Sequence, residues 1–380
     1  MTFIPWAART NRSPRGKIAP SPTLEPAPLM AKKSNKDLSL SAGVPGYTLI
    51  DVARVAGVSP ITVSRALHRP ELVSERTRDK VREAARAMGY VPNMLAGGLA
   101  TNKSRLVAIF LPTIANSIFA DTVQAVMDRL TAAGYQTLIG LTGYSAEQEE
   151  ALLEAVLGRR PDGIVLTGTL HTEASRQRLA SARIPVVEAW DLSEAPIDML
   201  VGFSHEQVGV GIARNLLGKG YRRFAVVTLD DPRGLRRVAS LKAELQAHGI
   251  TDTPTEILPA PATLASGRLG LQGLLDKGHG PQVVVCSSDT IAQGVLAEAA
   301  SRGLRVPEDL AVMGFGDLSS AAHVHPPLST VQVNGALIGQ QVAEALLARL
   351  RATPGTEAAA PVCIDTGFSI IDRQSTRDIG

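Results

Sequence analysis

From Leu106 onward the chain alternates short apolar runs with amphipathic helical stretches, and this alternation restricts the possible folds more than any other feature. Leu106 to Leu111, Tyr135 to Leu141, Gly163 to Leu166 and Pro185 to Glu188 read as strands. Between them lie a helical stretch from about Ile118 to Ala133 and another, rich in Glu and Leu, ending at Gly158. A second series follows the stretch Asp198 to Phe203. It predicts helices over Glu206 to Leu217, Leu235 to Ala247 and Thr290 to Ser301, and strands over Phe224 to Leu229, Val283 to Cys286 and Leu310 to Phe315. Unbroken apolar runs belong to strands covered on both faces, so each series predicts a parallel sheet between helices. Residues 105–380 suit two such α/β subdomains better than one. Ligands of open α/β sheets bind at the carboxyl ends of the strands, and two facing subdomains place those ends across one cleft.

The preceding stretch, Tyr47 to Ser104, follows different rules. Thr48 can cap a helix whose buried face is Ile50, Val52, Ala53 and Ala56, and Gly57 supplies the positive φ of a tight turn. Ser59 is a good N-cap, and Pro60 sits at the first helical position, where its missing N–H costs nothing. Val63, Ala66 and Leu67 then face inward, leaving Ile61, Thr62, Ser64 and Arg65 to face out. Ser74 caps a third helix from about Glu75, closed by Val81, Ala84, Ala85 and Met88. Two short helices at this spacing form a helix-turn-helix pattern. A three-helix piece of an ordinary α domain is the alternative, and charge weighs against it. Arg54, Arg65, Arg69, Arg76, Arg78, Lys80, Arg82 and Arg86 outnumber Asp51, Glu71, Glu75, Asp79 and Glu83 in a chain whose net charge is only +3.

The remaining features narrow the class. Residues 1–46 read as a disordered, basic, Pro-rich extension, broken by Pro5, Pro14, Pro20, Pro22, Pro26, Pro28 and Pro45. Its Arg and Lys residues leave contact with phosphates open, and Met30 offers a second start. Cys286 and Cys363 are the two cysteines, so neither a disulfide framework nor a cysteine metal site is expected. No apolar window approaches a membrane span, and Met1 to Pro20 lacks the apolar core of a secretory signal. A cytoplasmic protein without membrane partners is expected. An enzyme is one rival, but Gly209-Val210-Gly211 lacks the third glycine of a dinucleotide fingerprint, and His323 with His325 makes a weak metal pair. We expect neither catalysis nor a cofactor. A sugar-binding transport protein is the other rival, and it has no use for a basic head.

Specific segments carry a resemblance. Tyr47 to Ala53, Ala56-Gly57-Val58-Ser59, Thr62-Val63-Ser64-Arg65 and Gly89-Tyr90-Val91-Pro92-Asn93 resemble the head of the lactose/galactose-repressor family. Along the sensor, Asn116 to Phe119, Arg237 to Leu241, Ser288-Asp289, Gly314 to Asp317 and Pro327 to Val331 resemble its motifs. The resemblance covers Tyr47 to Asp372. It implies a helix-turn-helix domain over 47–92, a hinge helix over 93–104 and a periplasmic-binding-protein-like effector domain over 105–380. It also implies a homodimer on a palindromic operator in double-stranded DNA, with Thr48, Ser59, Pro60, Ile61, Thr62, Ser64, Arg65, Asn93 and Leu99 at the DNA. Leu99 corresponds to the hinge leucine wedged into the minor groove, which kinks the duplex and brings more protein into contact. Gly97-Gly98 depart from the family pattern, and each lowers hinge helicity by about 1 kcal/mol. The absence of a leucine-heptad tail before Gly380 points to a dimer rather than a tetramer.

Gly134 to Thr137, His171-Thr172, Ile184 to Glu188 and Ile197 to Phe203 most resemble the gluconate-responsive members, which implies a repressor released by a sugar or sugar acid. A carboxylate needs a fixed cation, and Arg237 sits where the family holds an effector. His171 can donate to an anion, Asn116 and Asp289 can bind hydroxyls, and Phe119 offers an apolar wall. Arg237 as a solvated helix residue, His171 as a loop histidine, and Glu188, Trp190 and Asp191 as structural groups are the plainer alternatives. Ser240, Ser288 and Gly316 depart from the family pattern near these positions.

Overall fold

The computed structural model describes residues 47–91, 103–115, 117–352 and 362–379. The chain divides into two compact units, Met1–Val91 and Pro92–Gly380. In the first, α1 (Leu49–Ala56), α2 (Pro60–His68) and α3 (Glu75–Ala87) pack around Val52, Ala53, Ala56, Val63, Ala66, Val81, Ala84 and Ala85. Thr48 and Asp51 form a reciprocal capping box, the Thr48 hydroxyl accepting the Asp51 N–H at 3.3 Å and the Asp51 carboxylate accepting the Thr48 N–H at 2.9 Å. Gly57 ends α1 in the left-handed region at φ 61. One expectation is corrected here: Ile50 is 62% exposed, and Leu49 takes the inward place. The cap fixes the helix start, so the inward stripe is Leu49, Val52, Ala53 and Ala56, the i, i+3, i+4, i+7 spacing of one helical face.

The second unit contains both series of strands. β1 (Leu106–Leu111), α4 (Ala120–Ala132), β2 (Gln136–Leu141), α5 (Ala146–Leu157), β3 (Gly163–Thr167), α6 (Glu173–Ala182), β4 (Val186–Ala189) and β5 (Met199–Gly202) build the first subdomain. The second contains α7 (His205–Gly218), β6 (Phe224–Leu229), α8 (Pro232–Ala247), β7 (Thr255–Leu258), α9 (Leu264–Asp276), β8 (Val283–Cys286), α10 (Asp289–Ser301) and β9 (Ala311–Met313). After β10 (Thr330–Gln332), α11 (Gly335–Arg351) returns to pack on α4. β11 (Val362–Asp365) then joins the first sheet beside β5, and β12 (Ser369–Ile371) pairs antiparallel with β10.

The first sheet runs β11-β5-β4-β3-β1-β2 and the second β7-β6-β8-β9, with parallel neighbours in both. One apolar cluster contains Val107 and Val187 of the first sheet together with Val226 and Val283 of the second, so the subdomains share a core. Boundaries moved locally. The stretch from Ile118 opens as a 3-10 turn, Ser117–Phe119, before α4, and the strand expected over Leu310 to Phe315 contracts to Ala311–Met313. Helix α9, which the strand-helix alternation above does not include, holds Gly267, Gly270 and Gly273. Gly267 and Gly294 let α9 and α10 touch backbone to backbone, since a Cβ on Gly267 would lie 2.1 Å from the Ile291 carbonyl oxygen.

Candidate DNA-reading and effector sites

On the head, Ser59, Pro60, Ile61 and Arg65 are exposed on α2, with Thr62 and Ser64 half-buried beside them. Ile61 is 65% exposed, which no core requirement explains. The Ser59 hydroxyl accepts the Thr62 N–H at 3.2 Å and lies 2.8 Å from the Thr62 hydroxyl, so both side chains are tied into the helix start. The Thr48 hydroxyl donates to Asp51 at 2.6 Å. The resulting surface presents an apolar Ile61, a cationic Arg65 and oriented hydroxyls, groups able to meet thymine methyls, phosphates and base edges. Asn93 and Leu99, with the rest of the stretch 92–102, lie outside the described residues, as does Asn116.

In the second unit, the carboxyl ends of the strands surround a cavity of about 50 Å³ lined by Phe119, Trp190, His205, Arg233, Arg237 and Phe315, among others. A second cavity of about 260 Å³ shares Tyr144, Asp231 and Arg233 with it and adds Glu149, Thr169 and Asp191. Arg237 is the centre of the first. Its guanidinium donates to His205 Nδ1 at 3.0 Å and to the Ser287 carbonyl at 3.0 Å, and lies 3.9 Å from the Phe315 ring centroid. Burial lowers its pKa to about 10, a pull that Asp231 opposes and that Arg233 and Arg236 reinforce, so it remains charged at neutral pH.

His205 takes the complementary state. Its Nε2–H donates to the Trp190 carbonyl at 3.0 Å, leaving Nδ1 to accept from Arg237. Burial first, then Arg237, Arg233 and Arg236, hold its pKa well below the ordinary imidazole value. It is a neutral acceptor. Arg236 binds the buried carboxylate of Asp191 and approaches Glu206 at 3.4 Å, and Arg233 lies 3.6 Å from Asp231. Asp231 also caps α8, accepting the Gly234 N–H at 2.9 Å. No carboxylate of the described residues forms an ion pair with Arg237.

Of the expected effector residues, the structure brings Phe119 and Arg237 together and separates two others. His171 is tucked beneath the end of β3, with Nδ1 2.7 Å from Glu149 and Nε2 3.1 Å from the Gly168 carbonyl and 3.5 Å from Glu188. Both ring nitrogens are engaged, and His171 is not among the residues lining the cavity around Arg237, although its partner Glu149 lines the adjoining one. Asp289 is fully buried, accepting from the Thr330 hydroxyl at 2.6 Å and the Leu318 N–H at 2.7 Å. One oxygen holds β10 and the other the loop after β9, and Ser287 and Ser288 line the cavity in its place. Burial, partly offset by these two bonds, pushes its pKa up to about 6. Sequence reasoning missed Tyr144, His205 and Arg233. Asp231-Pro232-Arg233 carried a usable signal, a cap and proline announcing a helix start at a strand end.

Residues 48–93 match the family described as "Bacterial regulatory proteins, lacI family", and residues 213–376 match "Periplasmic binding protein-like domain". The "HTH-type transcriptional regulator GntR" of Pseudomonas aeruginosa is 40% identical over 87% of this chain and 95% of its own length. The chain belongs to the lacI family of bacterial transcriptional regulators. A regulator of the same name from Escherichia coli K12 is 32% identical over 85% of this chain and 96% of its own. Among solved structures, a lacI-family regulator from Silicibacter pomeroyi superposes with a TM-score of 0.80 at 33% identity, covering 86% of this chain and 98% of that one. The lac repressor dimer bound to operator and the anti-inducer ONPF superposes with a TM-score of 0.72 at 25% identity, covering 87% and 99%. Arg236 on α8 holds Asp191 after β4, and His205 on α7 holds the Trp190 carbonyl, so both tie the second subdomain to the first. No helix of the described residues is long and apolar enough to cross a membrane.

Proposed function

We propose that this regulator is a homodimeric repressor that a gluconate-like sugar acid releases from a palindromic operator, acting in the cytoplasm and without catalytic activity of its own. Arg237 carries the choice of an anion. A buried cation is ordinarily paired, yet this guanidinium rests on a neutral imidazole, a carbonyl and an aromatic face. Asp231 lies beside Arg233, and Asp191 and Glu206 beside Arg236, whereas no carboxylate of the described residues forms an ion pair with Arg237, which is left for a carboxylate to meet. Thr169, Tyr144 and Ser145 in the adjoining cavity supply hydroxyls suited to a polyol chain. The GntR-named relatives agree with this reading.

Release follows if the acid binds the two arrangements of the subdomains unequally, because a ligand indifferent to them shifts nothing. Asn93 and Leu99 in the hinge, with Thr48 and the exposed residues of α2, form the DNA-contacting set of this reading. Isothermal titration with gluconate and with glucose tests the effector class. Gluconate should bind, and Arg237→Met should weaken it by about 10- to 100-fold, the value of a charged hydrogen bond. Tight binding of glucose with no response to gluconate would overturn the sugar-acid assignment. An operator shift titrated with gluconate tests release.

A further inference from the structure

The first sheet gathers exposed cations at the amino ends of its strands. β4, β3 and β1 are parallel neighbours, so the loops leading into them emerge on one face. Arg183 stands before β4, Arg160 before β3, and Arg105 and Lys103 before β1, all four exposed. Lys103, Arg160 and Arg183 make no side-chain hydrogen bond or ion pair with any described residue. These three rim a concavity of about 1000 Å³ with Leu157, Ile184 and Pro185 in its wall. The nearby Asp162 forms no ion pair with them; its carboxylate accepts the Ser104 and Arg105 N–H groups at 2.8 and 3.0 Å.

Backbone geometry sets these arginines apart. Arg105, Arg160 and Arg183 have φ of 55, 51 and 52°, the left-handed region in which a Cβ crowds the neighbouring carbonyl and glycine is favoured. At Arg160 and Arg183 the side chain gives the local fold nothing in return. Connectivity adds a third observation: the polypeptide from the head joins the core on this face, at Lys103. Residues 92–102 reach at most about 40 Å when extended. A duplex held by the head is therefore kept at high effective concentration for these cations.

We propose that this edge of the sensor is an auxiliary phosphate-binding surface, in which Lys103, Arg160 and Arg183 contact the backbone of the duplex beyond the bases that the head reads. The inference rests on the head's role in DNA binding. It adds affinity and salt dependence but no sequence information, since phosphate contacts position a protein without specifying bases.

The test is a salt titration of the full chain with a duplex of arbitrary sequence. The double variant Arg160→Gly with Arg183→Gly gives both positions the residue their backbone prefers, so it should melt at or above the wild-type temperature. Its plot of log affinity against log salt should be shallower by about 0.9 for each phosphate left without its cation, or about 1.8 for each protomer and about 3.6 for the dimer. Arg268→Ala with Arg305→Ala removes the same charge from the second subdomain and should leave the slope unchanged. Equal slopes for wild type and the glycine variant would overturn the inference, as would an equal decrease in the control pair, which would reveal an effect of total charge. If the wild-type chain bound no duplex, the regulatory reading would fall with it, an outcome distinct from either of these.

Discussion

At the scale of single residues, burial decides which charged groups are free to act. His171 and Arg237 looked alike in sequence, each a cation beside a strand or helix expected to meet an anion. The fold gives His171 two carboxylates and leaves Arg237 none. Burial opposes the charge on His171, but its hydrogen bond to Glu149 and the negative charge of Glu149 and Glu188 outweigh it, raising its pKa from 6.5 to about 9. A folded value above the unfolded one means the stabilisation is complete below about pH 6.5 and is lost as pH rises through about 9. The melting temperature of the wild type should therefore fall between pH 6.5 and 9.5, for a contribution of at most about 3 kcal/mol. His171→Gln should start lower and flatten that decline. A parallel decline in the variant would show that the imidazole is not the group responsible.

At the scale of elements, close approach rather than propensity fixes the helices that carry Arg237 and His205. Helices α7 and α8 cross at Gly209, where a Cβ would lie 2.1 Å from the Ser240 hydroxyl oxygen and 2.2 Å from the Arg237 carbonyl oxygen. Gly209→Ala should cost about 1–3 kcal/mol, as overpacking does. It should also weaken effector binding, because the crowded carbonyl belongs to Arg237. Adding Ser240→Gly relieves only the hydroxyl clash, so calorimetry should find stability restored in part at best; complete restoration would mean the backbone can yield. On the head, Ser59→Ala removes the acceptor for the Thr62 N–H and should destabilise that unit by about 1 kcal/mol. Thermal melts that resolve the head's own transition would register it.

At the scale of the whole molecule, reading DNA and sensing a ligand belong to different stretches of one chain. Deleting residues 1–104 should abolish the operator shift while leaving gluconate binding within a few-fold of the intact chain. Loss of both would mean the sensor needs the head in order to fold. The strand-helix alternation was legible because each apolar run is itself the buried surface, and the helix starts were legible because Thr48, Ser59 and Ser74 cap them through side chains only three residues away. Periodicity erred at Ile50, where choosing between adjacent apolar residues requires the cap's position.

By itself, the sequence determined the helix-turn-helix head, the two parallel sheets and the regulatory family, since all three depend on local patterns of burial, capping and motif. Tertiary structure alone assembled the cavity around Arg237. Phe119, Trp190, His205, Arg233 and Arg237 come from separate elements and meet only when both subdomains fold over a shared core. Whether a cation is spent internally or kept for a ligand depends on which carboxylates that folding brings within reach. Such distances are not written in any one segment of the chain.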